Sequence, residues 1–190
     1  MIACNRSVWI AIWAGNREQL PAGGYVCEIK QAVEVKNRNN SGTHLELAVE
    51  IIEGEYKGFF ERDWRAQTRE DKFWAGVVRQ NVPDEASNKY EQQCMFFKRF
   101  TNTVEDSNPG YHWDWNEVGL KGKKIGVVFG EQERMSQTGR QYTATVAQEI
   151  VTVEDIRQGN YKVPEKRLLA GSNTAQSASV GSFASEDMPF

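Results

Sequence analysis

The chain has 190 residues, 39% of them hydrophobic and 11% aromatic, a composition that excludes a disordered polymer and suits a globular protein. A formal charge of −3 excludes a globally basic nucleic-acid binder, so any such site must come from local clustering of Lys and Arg. Scattered Cys4, Cys27 and Cys94, with only His44 and His112 beside them, supply neither a disulfide framework nor metal-ligand spacing, and no apolar run reaches membrane-spanning length.

Residues 1–19 contain the apolar stretch Val8 to Ala14 and are read as an N-terminal extension or strand. After the turn signal Leu20-Pro21-Ala22-Gly23-Gly24, residues Tyr25 to Val35 alternate. Tyr25, Cys27, Ile29, Val33 and Val35 are expected on one face, with Glu28, Lys30 and Glu34 on the other, which is the period of a strand. A polar loop from Lys36 to Gly42 leads to a second strand, in which Leu45, Leu47, Val49 and Ile51 alternate with His44, Glu46, Ala48 and Glu50. Glu53 to Gly58 turns the chain into an expected third strand, Phe59 to about Trp64, and residues 65–87 read as short helical pieces and loop.

From Asn88 the period changes. Asn88 with Glu91 gives a capping-box signature, and Tyr90, Cys94, Phe97, Phe100 and Val104 recur at helical spacing up to Asn108-Pro109-Gly110. A fourth strand runs from Lys124 to about Glu131, a turn falls at Ser136 to Gly139, and a fifth strand buries Tyr142, Ala144, Val146 and Ile150. Thr152 caps a short helix, Val153 to Gln158, closed by Gly159. From Gly171 the composition shifts to Ser, Ala, Asn, Thr, Gln and Gly, a flexible lead.

The expected class is therefore mainly β with one long helix. The order suits an OB-fold-like five-stranded barrel over 20–167, with the helix between strands three and four, and a disordered tail over 168–190. Other small α+β folds could host the same order. In an OB-fold the strand 2–3 face and the loops joining strands 1–2 and 4–5 bind oligonucleotides or oligosaccharides.

No catalytic constellation is visible. Acyl transfer needs a nucleophile, a base and an orienting group, but His44 alternates onto the solvent face and His112 sits among Tyr111, Trp113 and Trp115. No enzyme activity, metal or cofactor is expected. What stands out is a basic–aromatic segment. Phe60, Arg62, Trp64, Arg65, Arg69, Lys72, Phe73 and Trp74 interleave rings for base stacking with cations for phosphates. The bland alternative is that the rings are core with snorkelling arginines around them. Lys36 and Arg38 flank the first loop, and Arg134 and Arg140 the last one. Glu28, Glu34, Glu46 and Glu50 oppose this reading on strands one and two, so a phosphate backbone is expected along strand three and the loops.

The segments Leu20-Pro21-Ala22-Gly23-Gly24-Tyr25-Val26, Glu53-Gly54-Glu55-Tyr56-Lys57-Gly58, Phe97-Lys98-Arg99-Phe100, Ser107-Asn108-Pro109-Gly110-Tyr111 and Asp155-Ile156-Arg157 resemble phage-encoded single-stranded DNA-binding proteins of Gram-positive bacteria and their prophages. The resemblance covers about residues 20–167 and implies an OB-like fold and a cytoplasmic role in phage DNA replication or recombination. Separately, Glu186-Asp187-Met188-Pro189-Phe190 is similar to the acidic tip of bacterial single-stranded DNA-binding proteins, which implies recruitment of replication and recombination proteins. Capture of a C-terminal carboxylate is a known recognition mode. The tip here carries only two acids. The expected partners are single-stranded DNA and those proteins, with no membrane and with homo-oligomerisation left open. The competing reading is a protein-interaction module or phage recombination accessory that binds no DNA.

Overall fold

A computed structural model describes residues 18–37, 42–68, 70, 72–136 and 138–169. Its elements are β1 (Gly23–Lys36), β2 (Thr43–Ile51), α1 (Phe59–Ala66), β3 (Val77–Asn81), α2 (Tyr90–Ser107), a 3-10 turn (Glu117–Leu120), β4 (Lys124–Met135), β5 (Gln141–Val151) and α3 (Val153–Gln158). The five strands form one antiparallel sheet in the order β3-β2-β1-β4-β5. The return of β4 to lie beside β1, after the long connection through α2, gives the Greek-key order. Among the described residues β3 and β5 share no ladder, so the sheet is open. The two edges nevertheless come within 8 Å of each other between Cα atoms, and α2 contacts both.

The alternation of β2 is realised as expected, with Leu45, Leu47, Val49 and Ile51 all buried in the core. They meet Cys27 and Ile29 of β1, Val78 of β3 and Ile125, Val127 and Phe129 of β4. Phe97, Phe100 and Val104 of α2 close the core from the helix side. On the reverse of β4, Gly126 lets α3 approach closely, since a Cβ there would lie 2.6 Å from Ile156. The capping box of α3 is formed by Thr152 and Asp155, and Gly159 ends the helix, as the sequence indicates.

Several sequence expectations are corrected. Tyr142, expected inward on the fifth strand, is 46% exposed and lies opposite Arg134. The segment from Phe59 to Trp64 is helix α1, not a strand. Phe59 and Phe60 are both buried, which a strand with one solvated face cannot achieve for neighbours. A helical turn brings both onto the core. Strand three is instead Val77–Asn81, inside the stretch read as helical pieces and loop. The signature Asn88/Glu91 does not cap α2, whose N-cap is Lys89 without a side-chain bond. There the Ser87 hydroxyl oxygen accepts from the Lys89 N–H at 3.2 Å.

A further correction concerns β1. Its register against β2 shifts between Ile29 and Gln31, making Lys30 the extra residue of a bulge. One extra residue exchanges the faces of everything that follows. Cys27 and Ile29 point into the core, whereas Val33 pairs with Glu46 and Val35 with His44 on the outer face. Val33 is 42% exposed. The two valines therefore do not share the face of Cys27 and Ile29.

Candidate functional site

The basic–aromatic segment separates into inward and outward rings once α1 is a helix. Phe60 is in the core, 5.7 Å from Phe129 between ring centroids. Trp74 is half-buried against the same core and its indole N–H donates to the Val49 carbonyl at 3.0 Å. Both rings are structural, contrary to their expected role in stacking. Trp64 and Phe73 face solvent, at 39% and 45% exposure.

Local bonds fix this pair. Glu50, buried on β2, accepts the N–H groups of Phe60 at 3.1 Å and Glu61 at 2.7 Å, satisfying amides that the first turn of a helix leaves open. Gly58, at φ 72°, makes the left-handed turn that starts α1. At the other end, the Gln67 side chain grips the main chain of Phe73 twice. Its Nε2 donates to the Phe73 carbonyl at 2.9 Å, and its Oε1 accepts from the Phe73 N–H at 3.0 Å. The loop between them is thereby closed, and Lys72 brings its Nζ to 4.9 Å from the Trp64 ring centre, a cation–π distance.

The cations of the segment are placed differently from one another. Arg65 pairs with Glu61 one helical turn away, on an exposed surface where such a pair is worth only a few tenths of a kcal/mol. Arg62 donates to the Lys57 carbonyl. Arg69 lies outside the described residues, as does Arg38. Lys36 ends β1 opposite Thr43 and is exposed. Arg134 and Arg140 are exposed on the β4–β5 hairpin. That hairpin is not beside the others. β1 runs on past Lys124 at one end of the sheet, and β4 runs on past Gly23 at the other, so the β1–β2 loop and the β4–β5 turn project from opposite ends.

The outer face of β1, β2 and β3 was missed as a unit because the bulge at Lys30 leaves no local sequence mark. Register places Gln31, Ala48 and Val77 in one row, Val33, Glu46 and Arg79 in the next, and Val35, His44 and Asn81 in a third. The acids that argued against this face are largely compensated. Glu50 is turned onto α1, Glu28 pairs with Lys30 at 2.6 Å, and Glu46 accepts from Arg79 Nε at 2.9 Å. The bond to Arg79, with a second from His44, holds the Glu46 carboxyl below its ordinary range against some desolvation. His44 Nδ1 lies 2.6 Å from Asn37 Oδ1, which ties this face to the start of the β1–β2 loop. Gln67 was also missed, since nothing in its neighbourhood in sequence marks a side chain that bonds six residues ahead.

The C-terminal tip, Glu186 to Phe190, lies outside the described residues. The last described stretch is docked. Arg167 lies beside β4, with its N–H on Glu131 O at 3.0 Å and its carbonyl receiving Glu133 N–H at 2.8 Å. Lys166 pairs with Glu133 at 3.1 Å.

Among the described residues, no group of three or more His, Cys, Asp or Glu is placed to hold a metal ion, and no helix is long and apolar enough to cross a membrane. Compared with known proteins, the chain matches no family model and no curated sequence.

Proposed function

We propose that this chain is a non-catalytic, sequence-tolerant single-stranded DNA-binding protein built on a partly open OB-type barrel. The single observation that carries the reading is the clamped α1–β3 segment, which holds Trp64 and Phe73 outward with Lys72 over the indole. Rings of this kind stack any base, at roughly 1–3 kcal/mol per base, while cations offset phosphate charge and make binding salt-dependent. The barrel reading is supported by the Greek-key strand order, by the approach of β3 to β5 and by the position of α2 between β3 and β4 in the chain. The strand would pass from the α1–β3 segment along the outer face of β2 and β3 toward Lys36 and Arg38. Arg134 and Arg140 are offered at the far hairpin as a second grip.

The resemblance to phage single-stranded DNA-binding proteins gives this activity its setting, DNA replication or recombination in a bacterial cytoplasm. In the same reading the acidic, Phe-containing segment Glu186 to Phe190 recruits partner proteins. Titration of fluorescent oligo-dT against a duplex of equal length tests the activity. The expected result is preference for the single strand and weakening with added salt. Equal affinity for both, or salt-independent binding, rejects the reading in favour of a protein-interaction module.

A further inference from the structure

The connection between α2 and β4 carries a second aromatic cluster that the α1–β3 segment does not explain. Trp115 has φ 64° and is the only non-glycine residue with positive φ among those described. The left-handed region is disfavoured for a bulky side chain, and such outliers concentrate where surrounding contacts and function hold them. Here the contacts are visible. One face of the indole stacks on Phe97, with centroids 5.6 Å apart and planes at 14°. Trp113 stands edge-on to Phe97 at 5.9 Å and 6.3 Å from Trp115. The other face of Trp115 is open, and at 73% it is the most exposed large apolar side chain described.

The surroundings suit an anionic, planar ligand. Tyr111 OH and Trp113 Nε1 are buried without a hydrogen-bond partner, and buried polar atoms of this kind are normally met by water or a bound group. Lys123 Nζ lies 4.4 Å above the Tyr111 ring. Lys121, Lys123 and Lys124 make no ion pair among the described residues. Two nearby acids are engaged by the loop's backbone, Glu105 of α2 accepting from the Trp113 N–H at 2.8 Å and Asp114 from the Asn116 N–H at 3.2 Å. Beside the cluster, on the side away from Trp115 and Lys121, a groove of about 690 Å³ runs past Tyr111, His112, Asp114, Lys123 and Lys124.

The cluster is also joined to the outer face through β1. Gly122 N–H donates to Ile29 O at 2.7 Å, and Ile29 N–H donates to Lys123 O at 2.9 Å. Just beyond, the bulge at Lys30 turns Gln31 and Val33 outward.

We infer that Trp115, Lys121 and Lys123 form a second stacking subsite, taking one unpaired base on the free indole face and its flanking phosphates on the lysines. The inference rests on the single-stranded DNA reading and lengthens its path across β1. It is tested on the full chain by fluorescence anisotropy with two labelled oligo-dT probes, of about 6 and about 20 nucleotides, one near the lower end and one beyond the upper end of the site sizes of such domains, about 4–16 nucleotides. Trp115→Ala should leave the short probe unaffected and weaken the long one about tenfold, with Trp115→Phe restoring most of the loss. Trp115→Gly, whose backbone accepts φ 64°, serves if the alanine variant unfolds. Lys121→Ala with Lys123→Ala should reduce the salt dependence of long-probe binding by about 1.4 in log–log slope, two phosphates' worth. Parent binding to both probes with an unchanged Trp115→Ala variant overturns the subsite alone. So does an equal loss at both lengths, which would place Trp115 in the primary path. A parent that binds neither probe overturns the DNA reading and the subsite with it.

Discussion

The carboxylate of Glu50 accepts the backbone N–H of Glu61 at 2.7 Å, so one acid holds the helix that carries another. The same side chain also accepts from Phe60 at 3.1 Å and from Ile51 at 2.8 Å. A negative charge at the N-terminal end of a helix meets both the unpaired amides and the positive end of the peptide dipoles. Glu50 thereby couples β2 to the helix that presents Trp64. Its place on the strand is outward by alternation, but its charge is spent on the backbone.

Glu50→Ala is therefore expected to destabilise the fold by about 2–3 kcal/mol, because hydrogen bonds to a charged group are lost and the amides of Phe60 and Glu61 are left without that acceptor. Glu50→Gln keeps one acceptor oxygen and should lose less than half of that. Urea denaturation of both variants measures the difference, and equal stability of parent and Glu50→Ala would refute the capping role.

The inward and outward rings should part company under mutation. Trp64→Ala is expected to change stability by no more than about 0.5 kcal/mol, as for a surface position, and to weaken oligo-dT binding by about 1–3 kcal/mol. Phe60→Ala should instead cost about 3–5 kcal/mol of stability, as deletion of a core aromatic does. Trp74→Ala should behave like Phe60→Ala, since it also removes the indole bond to Val49 O. Paired unfolding and titration curves decide this. If Trp64→Ala lowers stability as far as Phe60→Ala does, the ring is core.

Alkaline stability depends on Tyr25. Burial, followed by the neighbouring Tyr56 and Tyr161, pushes its phenol from 10.0 up to about 12. The folded state thus holds the proton more tightly than the unfolded chain. The corresponding stabilisation is complete below pH 10 and is lost as pH rises toward 12. Tyr25→Phe should flatten the fall of unfolding free energy over that window, at the expense of the phenol bond to Pro21 O. A parent and variant with parallel pH profiles there would rule out the linkage.

Much of the fold is written locally. The alternation of Leu45, Leu47, Val49 and Ile51, the helical spacing of Phe97, Phe100 and Val104, and the box formed by Thr152 and Asp155 each state one element in a few adjacent residues. Strand or helix period is a property of a short window, so a sequence suffices for it. The segment from Phe59 to Trp64 is ambiguous on that scale, since its period of two survives in isolation. It becomes a helix because both Phe59 and Phe60 must reach the core and because Glu50, from another strand, caps the first turn.

The site divides in the same way. That rings and cations interleave between residues 60 and 74 is plain from the sequence. Which rings remain outside is decided by partners distant along the chain: Phe129 takes Phe60 and the Val49 carbonyl takes Trp74, leaving Trp64 and Phe73 exposed. The outer face of β1, β2 and β3 depends on the extra residue at Lys30, visible only once β1 is paired with β2. Composition and period determined the kinds of element and the chemistry available. Long-range pairing alone decided the face each side chain took, because burial is a property of the whole packed sheet and not of any window along it.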